Sequence, residues 1–224
     1  PIFVLMNIND YILKEIKALR LGNTVKSAQK LCKDLPITHI PVVENGKLIG
    51  CLPQSDIQTI ENKNRELNEY TYLLDHFHTN KNASLLDLIT LFADNDCNLI
   101  PVLDKEQNYI GYYELGDILD AFADSPFLHN ESETLIIEKS KTDYSISEVS
   151  QIVESNGSKL LGLYISSDLA ETIQITLNII SDEINEVIQT FRRYDYRVIT
   201  KHEDDSYLEE LKDRADYLKK YLDL

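Results

Sequence analysis

Residues 38–57 read THIPVVENGKLIGCLPQSDI, and residues 98–118 read NLIPVLDKEQNYIGYYELGDI. The second stretch repeats the first: Ile40-Pro41-Val42 returns as Ile100-Pro101-Val102, Gly50 as Gly111, and Asp56-Ile57 as Asp117-Ile118. The Gly50–Gly111 and Asp56–Asp117 intervals are both 61 residues, which marks a duplicated unit and not a chance recurrence of apolar runs. Each copy has the same order: an apolar run, a turn, a second apolar run, and an acidic residue heading a helix. In the first copy Glu44-Asn45-Gly46-Lys47 joins the runs 40–43 and 48–52, and Asn-Gly is the strongest short hairpin signal. In the second copy the runs are 99–103 and 109–113.

Working outward, Leu19 to Leu21 reads as a short strand, and Thr24 caps a helix with Val25, Ala28, Leu31 and Cys32 on one face, ended by Pro36. The second copy opens with His76-Phe77-His78 as a strand. There Ser84 and Asp87 form a capping box for a helix that buries Leu85, Leu88, Ile89 and Phe92. Each hairpin feeds a further helix, one starting near Pro53 and one running from Glu114 to about Ala123. The stripe Ile57, Ile60, Leu67 and Leu74 predicts that the first of these continues toward Leu74 as the connector between copies. His39, just ahead of its strand, reads as half exposed.

Beyond Pro126 the pattern changes. A strand over 134–138 precedes Ser145 and Glu148, a second capping box, and a helix with Val149, Ile152 and Val153 inside that Asn156-Gly157 closes. Two strands follow, with Leu161, Leu163 and Ile165, then Ile173, Ile175, Leu177 and Ile179, alternating inward. A helix over 182–194 and a strand over 197–201 complete a βαββαβ order, which folds as a four-stranded antiparallel sheet with two helices on one face. Leu208, Leu211, Ala215, Leu218 and Leu222 then mark a C-terminal helix. The fold class is α+β, divided into residues 1–66 and 67–126 as the two repeats, 127–133 as a linker, 134–202 as the βαββαβ domain and 203–224 as the last helix.

The chain has 224 residues and is 43% hydrophobic, enough for real cores. Its formal net charge of −16 disfavours nucleic acid and anionic membrane as partners, because a field of that sign repels polyanions. No apolar run reaches the ~18 residues of a membrane span, and the first residues do not read as a signal peptide, so the expected location is the cytoplasm. Met6, followed by Asn7, reads as an internal start, with residues 1–5 an upstream extension. Cys32, Cys51 and Cys97 lack metal-ligand spacing and read as buried thiols. Neither a nucleophile with its base, a glycine-rich phosphate loop nor a zinc-protease spacing is present, so the chain reads as no enzyme.

The repeated pattern resembles the CBS domain, and the two copies together resemble a tandem CBS pair. The βαββαβ segment is similar in outline to the ACT domain, so the whole resembles the acetoin-utilisation type of CBS/ACT protein. That resemblance implies a regulatory protein with an adenosine-containing ligand, of the AMP, ADP, ATP or S-adenosylmethionine type, held between repeats. Asp56 and Asp117 would then hold ribose hydroxyls, since an ionised carboxylate accepts two hydrogen bonds from a cis-diol. Backbone at Ile40, Pro41, Ile100 and Pro101 would line the adenine slot, with Ser55 the one hydroxyl nearby. Two departures stand against a phosphate group: the family's phosphate-contacting Ser or Thr is replaced by Pro53 and by Glu114. Ser145 likewise replaces the glycine of the amino-acid site in ACT domains. A ligand-free module for homodimerisation and for capture of a regulated protein partner is therefore the alternative.

Overall fold

The computed structural model describes residues 7–128 and 131–200. It divides into two compact units, with the boundary after Asp124.

Unit one holds both repeats. Helix α1, Val25–Asp34, begins where the Thr24 side chain accepts the Ser27 N–H, and it buries Val25, Ala28 and Cys32. It stops at Leu35, whose backbone is extended because Pro36 follows. Strands β1, His39–Glu44, and β2, Lys47–Pro53, form the predicted hairpin. Asn45 and Gly46 turn it with φ of 51° and 81°, as a two-residue loop with both central residues left-handed requires. Helix α2 is Gln54–Thr59. The second repeat supplies β3, Thr79–Asn80, α3, Leu85–Asp94, β4, Leu99–Leu103, β5, Tyr109–Glu114, and α4, Leu115–Ala123. Helix α3 has the full reciprocal capping box between Ser84 and Asp87.

The structure corrects three expectations here. Leu19 makes a single parallel bridge to Val42 in place of a strand. The α2 helix does not continue to Leu74: Ile60 is extended, and a separate 3-10 helix spans Leu67–Leu73. The polar segment between them is used as a cap, because the carbonyls of Arg65 and Lys63 accept the N–H groups of Val25 and Lys26 at 2.9 Å each. A continuous helix would have consumed those carbonyls internally. Finally, His76 and His78 are exposed and outside any strand; the parallel strand begins at Thr79, which pairs with Val102 of β4.

The repeats interlock by exchanging their opening segments. Leu13, in the opening segment of repeat one, bridges to Tyr112 on β5, while Asp75, in the opening segment of repeat two, bridges to Cys51 on β2. Both are two-way backbone pairs, of 2.8 and 3.0 Å and of 2.8 and 2.9 Å. The repeated glycine is explained at this crossing. A β-carbon at Gly111, whose φ is 147°, would lie 2.4 Å from the Leu13 carbonyl oxygen, and one at Gly50 would lie 2.8 Å from the Leu74 β-carbon. The cores share residues in the same manner. Leu99 and Tyr112 of repeat two pack in the core of repeat one, and Cys51 of repeat one packs with Phe77, Phe92 and Tyr113.

Unit two has β6, Glu133–Ser140, α5, Ile146–Ser155, β7, Lys159–Asp168, β8, Thr172–Ile180, α6, Ile184–Arg193, and β9, Arg197–Val198. The sheet order is β7-β8-β6-β9 with every neighbour antiparallel, which is the split βαβ arrangement predicted. Leu135, Ile137, Ile175, Leu177 and Phe191 are at its centre. Two details differ from expectation. Strand β7 has irregularities between Leu160 and Gly162 and between Ile165 and Ser167, so Leu160 and Leu163, not Leu161, pack on the core, and Ile165 is 47% exposed. An extra residue in a strand reverses which face the following side chains take. The Ser145 side chain caps α5 as expected, but Glu148 reaches Lys139 at 2.9 Å, and the Ser145 N–H is donated to the Tyr196 hydroxyl at 3.4 Å. The predicted helix over 203–224 lies outside the described residues.

Candidate functional site

The two repeats meet where β1 and β4 begin. The Thr38 N–H donates to Asn98 Oδ1 at 2.9 Å, and the Asn98 N–H donates to Thr38 Oγ1 at 3.0 Å. Beside this seam opens a cleft of about 470 Å3. Repeat one contributes Thr38, His39, Pro53, Gln54, Ser55 and Asp56; repeat two contributes Asp75, Asn95 and Asp96. The volume falls in the range of small-molecule sites, roughly 300–1,000 Å3.

Each wall follows from its element. Pro53 ends β2 and is the N-cap of α2 without a side-chain hydrogen bond, so Ser55 and Asp56 stand in the first turn of that helix. Asp56 is half-buried and Ser55 exposed, with the Ser55 hydroxyl 3.4 Å from Asp56 Oδ1. Negative charge is favoured there by the helix dipole. Asn95 caps the end of α3, and Asp96 follows it with φ of 46°.

His39 is only 7% exposed, contrary to the half-exposed position read from sequence. Its first residue place on β1 turns the ring inward, edge-on to Phe77 at 5.3 Å. Nδ1 lies 2.9 Å from Thr38 Oγ1, and Nε2 lies 3.3 Å from Asp75 Oδ2. Burial lowers the His39 pKa from its ordinary value, while Asp75, Asp96 and Asp56 oppose that shift. A chain of polar contacts thus runs from Asp75 through His39 and Thr38 to Asn98.

Of the residues singled out in the sequence, the cleft brings together Ser55 and Asp56. Ile40 and Ile100 are 0% exposed in the two cores, and Pro41 and Pro101 are buried beside them in β1 and β4. These four side chains do not line the cleft, whose corresponding wall is Thr38 and His39. Asp117 has the same place on α4, behind the exposed Glu114 N-cap, but is not among the lining residues. Asp75, Asn95 and Asp96 escape a sequence reading because repeat two delivers them to a helix of repeat one. The lining contains three carboxylates and no Lys or Arg, so the cleft is electronegative. Among the described residues no group of three His, Cys, Asp or Glu side chains is arranged to hold a metal ion, and no helix is long and apolar enough to cross a membrane.

Comparison with known proteins matches the CBS domain model twice, over residues 8–61 and 75–124. An uncharacterized protein of Methanocaldococcus jannaschii is 30% identical over 114 residues, covering 51% of this chain and 43% of that protein. The CBS domain-containing protein YhcV of Bacillus subtilis is 27% identical over 116 residues, covering 50% of this chain and 82% of YhcV. The match thus spans less than half the length of the archaeal relative. A solved CBS domain pair/ACT domain protein from Thermotoga maritima is similar with a TM-score of 0.46 and 17% identity, over 52% of this chain and 96% of that one.

Proposed function

Since residues 8–61 and 75–124 are a tandem pair of CBS domains, we propose that this chain is a non-catalytic regulatory protein whose cleft between the repeats takes an adenosine-containing ligand. One observation carries the reading: Asp56, a half-buried carboxylate, stands on a cleft of nucleoside size that both repeats build. A ribose cis-diol can donate two charge-assisted hydrogen bonds to it. Backbone near Ile40 and Pro41 would approach the base. Asp117, with Ile100 and Pro101, would supply the same elements on the side of repeat two. Ligand that binds one relative setting of the repeats better than another would shift that equilibrium by the difference in affinity. Unit two is read as an ACT-like domain, supported by its sheet order, and as a contributor to a homodimer.

Titration calorimetry of the full chain with adenosine, AMP, ADP, ATP and S-adenosylmethionine tests this. Saturable binding that Asp56→Ala weakens at least about tenfold supports it. No heat from any of the five at millimolar concentration sinks it.

A specific observation favours a second reading, that of an assembly module without ligand. Pro53 offers no hydroxyl, and the cleft holds no cation to meet a phosphate. In that case Asp56→Ala leaves capture of a protein partner unchanged.

A further inference from the structure

The chain has two Asn-Gly pairs, and the fold holds them differently. Asn156-Gly157 is pinned at both groups. The Asn156 side-chain amide donates to the Ile152 carbonyl at 2.7 Å, its Oδ1 accepts the Thr190 hydroxyl at 3.2 Å, and the Gly157 N–H donates to the Glu154 carbonyl at 3.1 Å. Asn45-Gly46 is exposed at the tip of the β1–β2 hairpin. Among the described residues the Asn45 side chain has no hydrogen-bond partner, and neither the Asn45 carbonyl nor the Gly46 N–H joins a backbone hydrogen bond. A β-carbon at Gly46 would meet nothing within 4 Å, so the tip is uncrowded.

The turn also supplies a reactive geometry. Asn45 and Gly46 have φ of 51° and 81°, the type I′ form. Rotating the one peptide plane between them gives type II′, the other standard two-residue hairpin turn, with the Asn45 ψ at about −120°. That ψ swings the Gly46 nitrogen to the side of the Asn45 side chain, where it can close a five-membered ring on Cγ. The rotation breaks no backbone hydrogen bond, and glycine takes the reversed φ without a steric penalty.

We propose that Asn45 is a self-modification site, converted by attack of the Gly46 nitrogen into an aspartyl or isoaspartyl residue. The N–Cγ bond forms as the bond from Cγ to the side-chain nitrogen breaks. Water carries the Gly46 proton to that nitrogen, which leaves as ammonia. A second water then opens the cyclic imide. Opening at the backbone carbonyl gives isoaspartate, whose chain runs through Cβ and Cγ and so adds one carbon to the turn. The addition falls at a contact between the repeats. The Gly46 carbonyl accepts the Tyr109 N–H at 2.9 Å, and Lys47 bridges to Asn108 and donates to the Glu106 carbonyl. A lengthened turn displaces these groups and loosens the tie between the two hairpins.

The test is incubation of the full chain at mildly alkaline pH, followed by peptide mass spectrometry at both pairs. In the folded chain Asn45 converts at least about tenfold faster than Asn156, because an exposed turn opens far more often than a packed helix end. In concentrated urea the two convert at similar rates. Hydrogen exchange at the Tyr109 N–H speeds up with the isoaspartyl fraction, and Asn45→Gly, which suits the left-handed turn, shows neither change. Equal rates at the two pairs in the folded chain, or an Asn45 that stays intact there while urea lets it convert, overturn the site. Tyr109 exchange that is the same before and after conversion overturns the loosening.

Discussion

Thr38 and Asn98 occupy the same position in the two repeats, 60 residues apart, and hydrogen-bond to each other across the seam. The exchange is unequal in one respect: the Asn98 side chain also donates to the Pro36 carbonyl at 2.7 Å and accepts the Thr38 hydroxyl at 3.1 Å. Asn98→Ala therefore removes three contacts and strands the half-buried Thr38 N–H, whereas Thr38→Ala leaves Asn98 anchored to Pro36. The expected loss is about 1 kcal/mol for Thr38→Ala and about 2–3 kcal/mol for Asn98→Ala, read from urea midpoints of the full chain. Equal losses would contradict this asymmetry.

Gly50 and Gly111 are equivalent in sequence but not in conformation. At Gly111 a side chain meets the Leu13 carbonyl, and the φ of 147° is itself strained for any other residue; at Gly50 the nearest atom is the Leu74 β-carbon. Gly111→Ala should lower the melting temperature clearly more than Gly50→Ala, with a cost above about 2 kcal/mol for the former. If alanine is tolerated at Gly111, the segment around Leu13 does not pack as described.

The pH dependence of stability carries the sign of the His39 shift. Burial holds its folded pKa below the ordinary 6.5, so the unfolded chain binds the proton more readily. The stabilisation is fully present above about pH 6.5 and is lost as pH falls from there toward the lowered folded value. His39→Gln should flatten that decline relative to wild type, measured as the difference between the two chains at each pH so that the other histidines cancel. A wild-type chain that gains stability over the same interval, relative to the variant, would mean that Asp75, Asp56 and Asp96 outweigh burial.

Tyr196 ties the last strand of unit two to α5. Its hydroxyl accepts the Ser145 N–H, its ring packs edge-on against Phe191 at 5.5 Å, and Lys139 Nζ stands 4.2 Å from the ring centre. Desolvation, with help from Glu148, pushes its pKa up to about 12, so it stays a neutral phenol. Tyr196→Phe keeps the packing and loses the acceptor, and an unfolding cost of about 1 kcal/mol follows; Tyr196→Leu should cost more.

What could be read from the chain was what duplication and local chemistry write into it. The repeated Ile-Pro-Val and Gly spacings gave both hairpins; Thr24, Ser84 and Ser145 gave three helix starts, because capping is decided within four residues. The exchange of Leu13 and Asp75 between repeats left no local mark, since pairing an isolated residue with a distant hairpin needs no periodicity. The same holds for 61–66, whose carbonyls cap a helix earlier in the chain, and for β7, where an inserted residue at each of two places redirects the side chains that follow. At the cleft, Ser55 and Asp56 were visible as a helix start, while Asp75 and Asp96 became neighbours only through the fold.

Those two aspartates set the last expectation. With Asp56 they surround His39 and no Lys or Arg lines the cleft, so each phosphate added to a ligand meets further repulsion. Adenosine should bind more tightly than AMP, and AMP more tightly than ATP, the order narrowing as salt screens the field. Asp96→Asn is the sharper probe, because Asp75 also holds His39. It should leave adenosine affinity unchanged and raise that of AMP several-fold, seen by calorimetry at low and high NaCl. Were ATP the tightest ligand of the wild-type chain, the phosphates would have to lie outside this cleft.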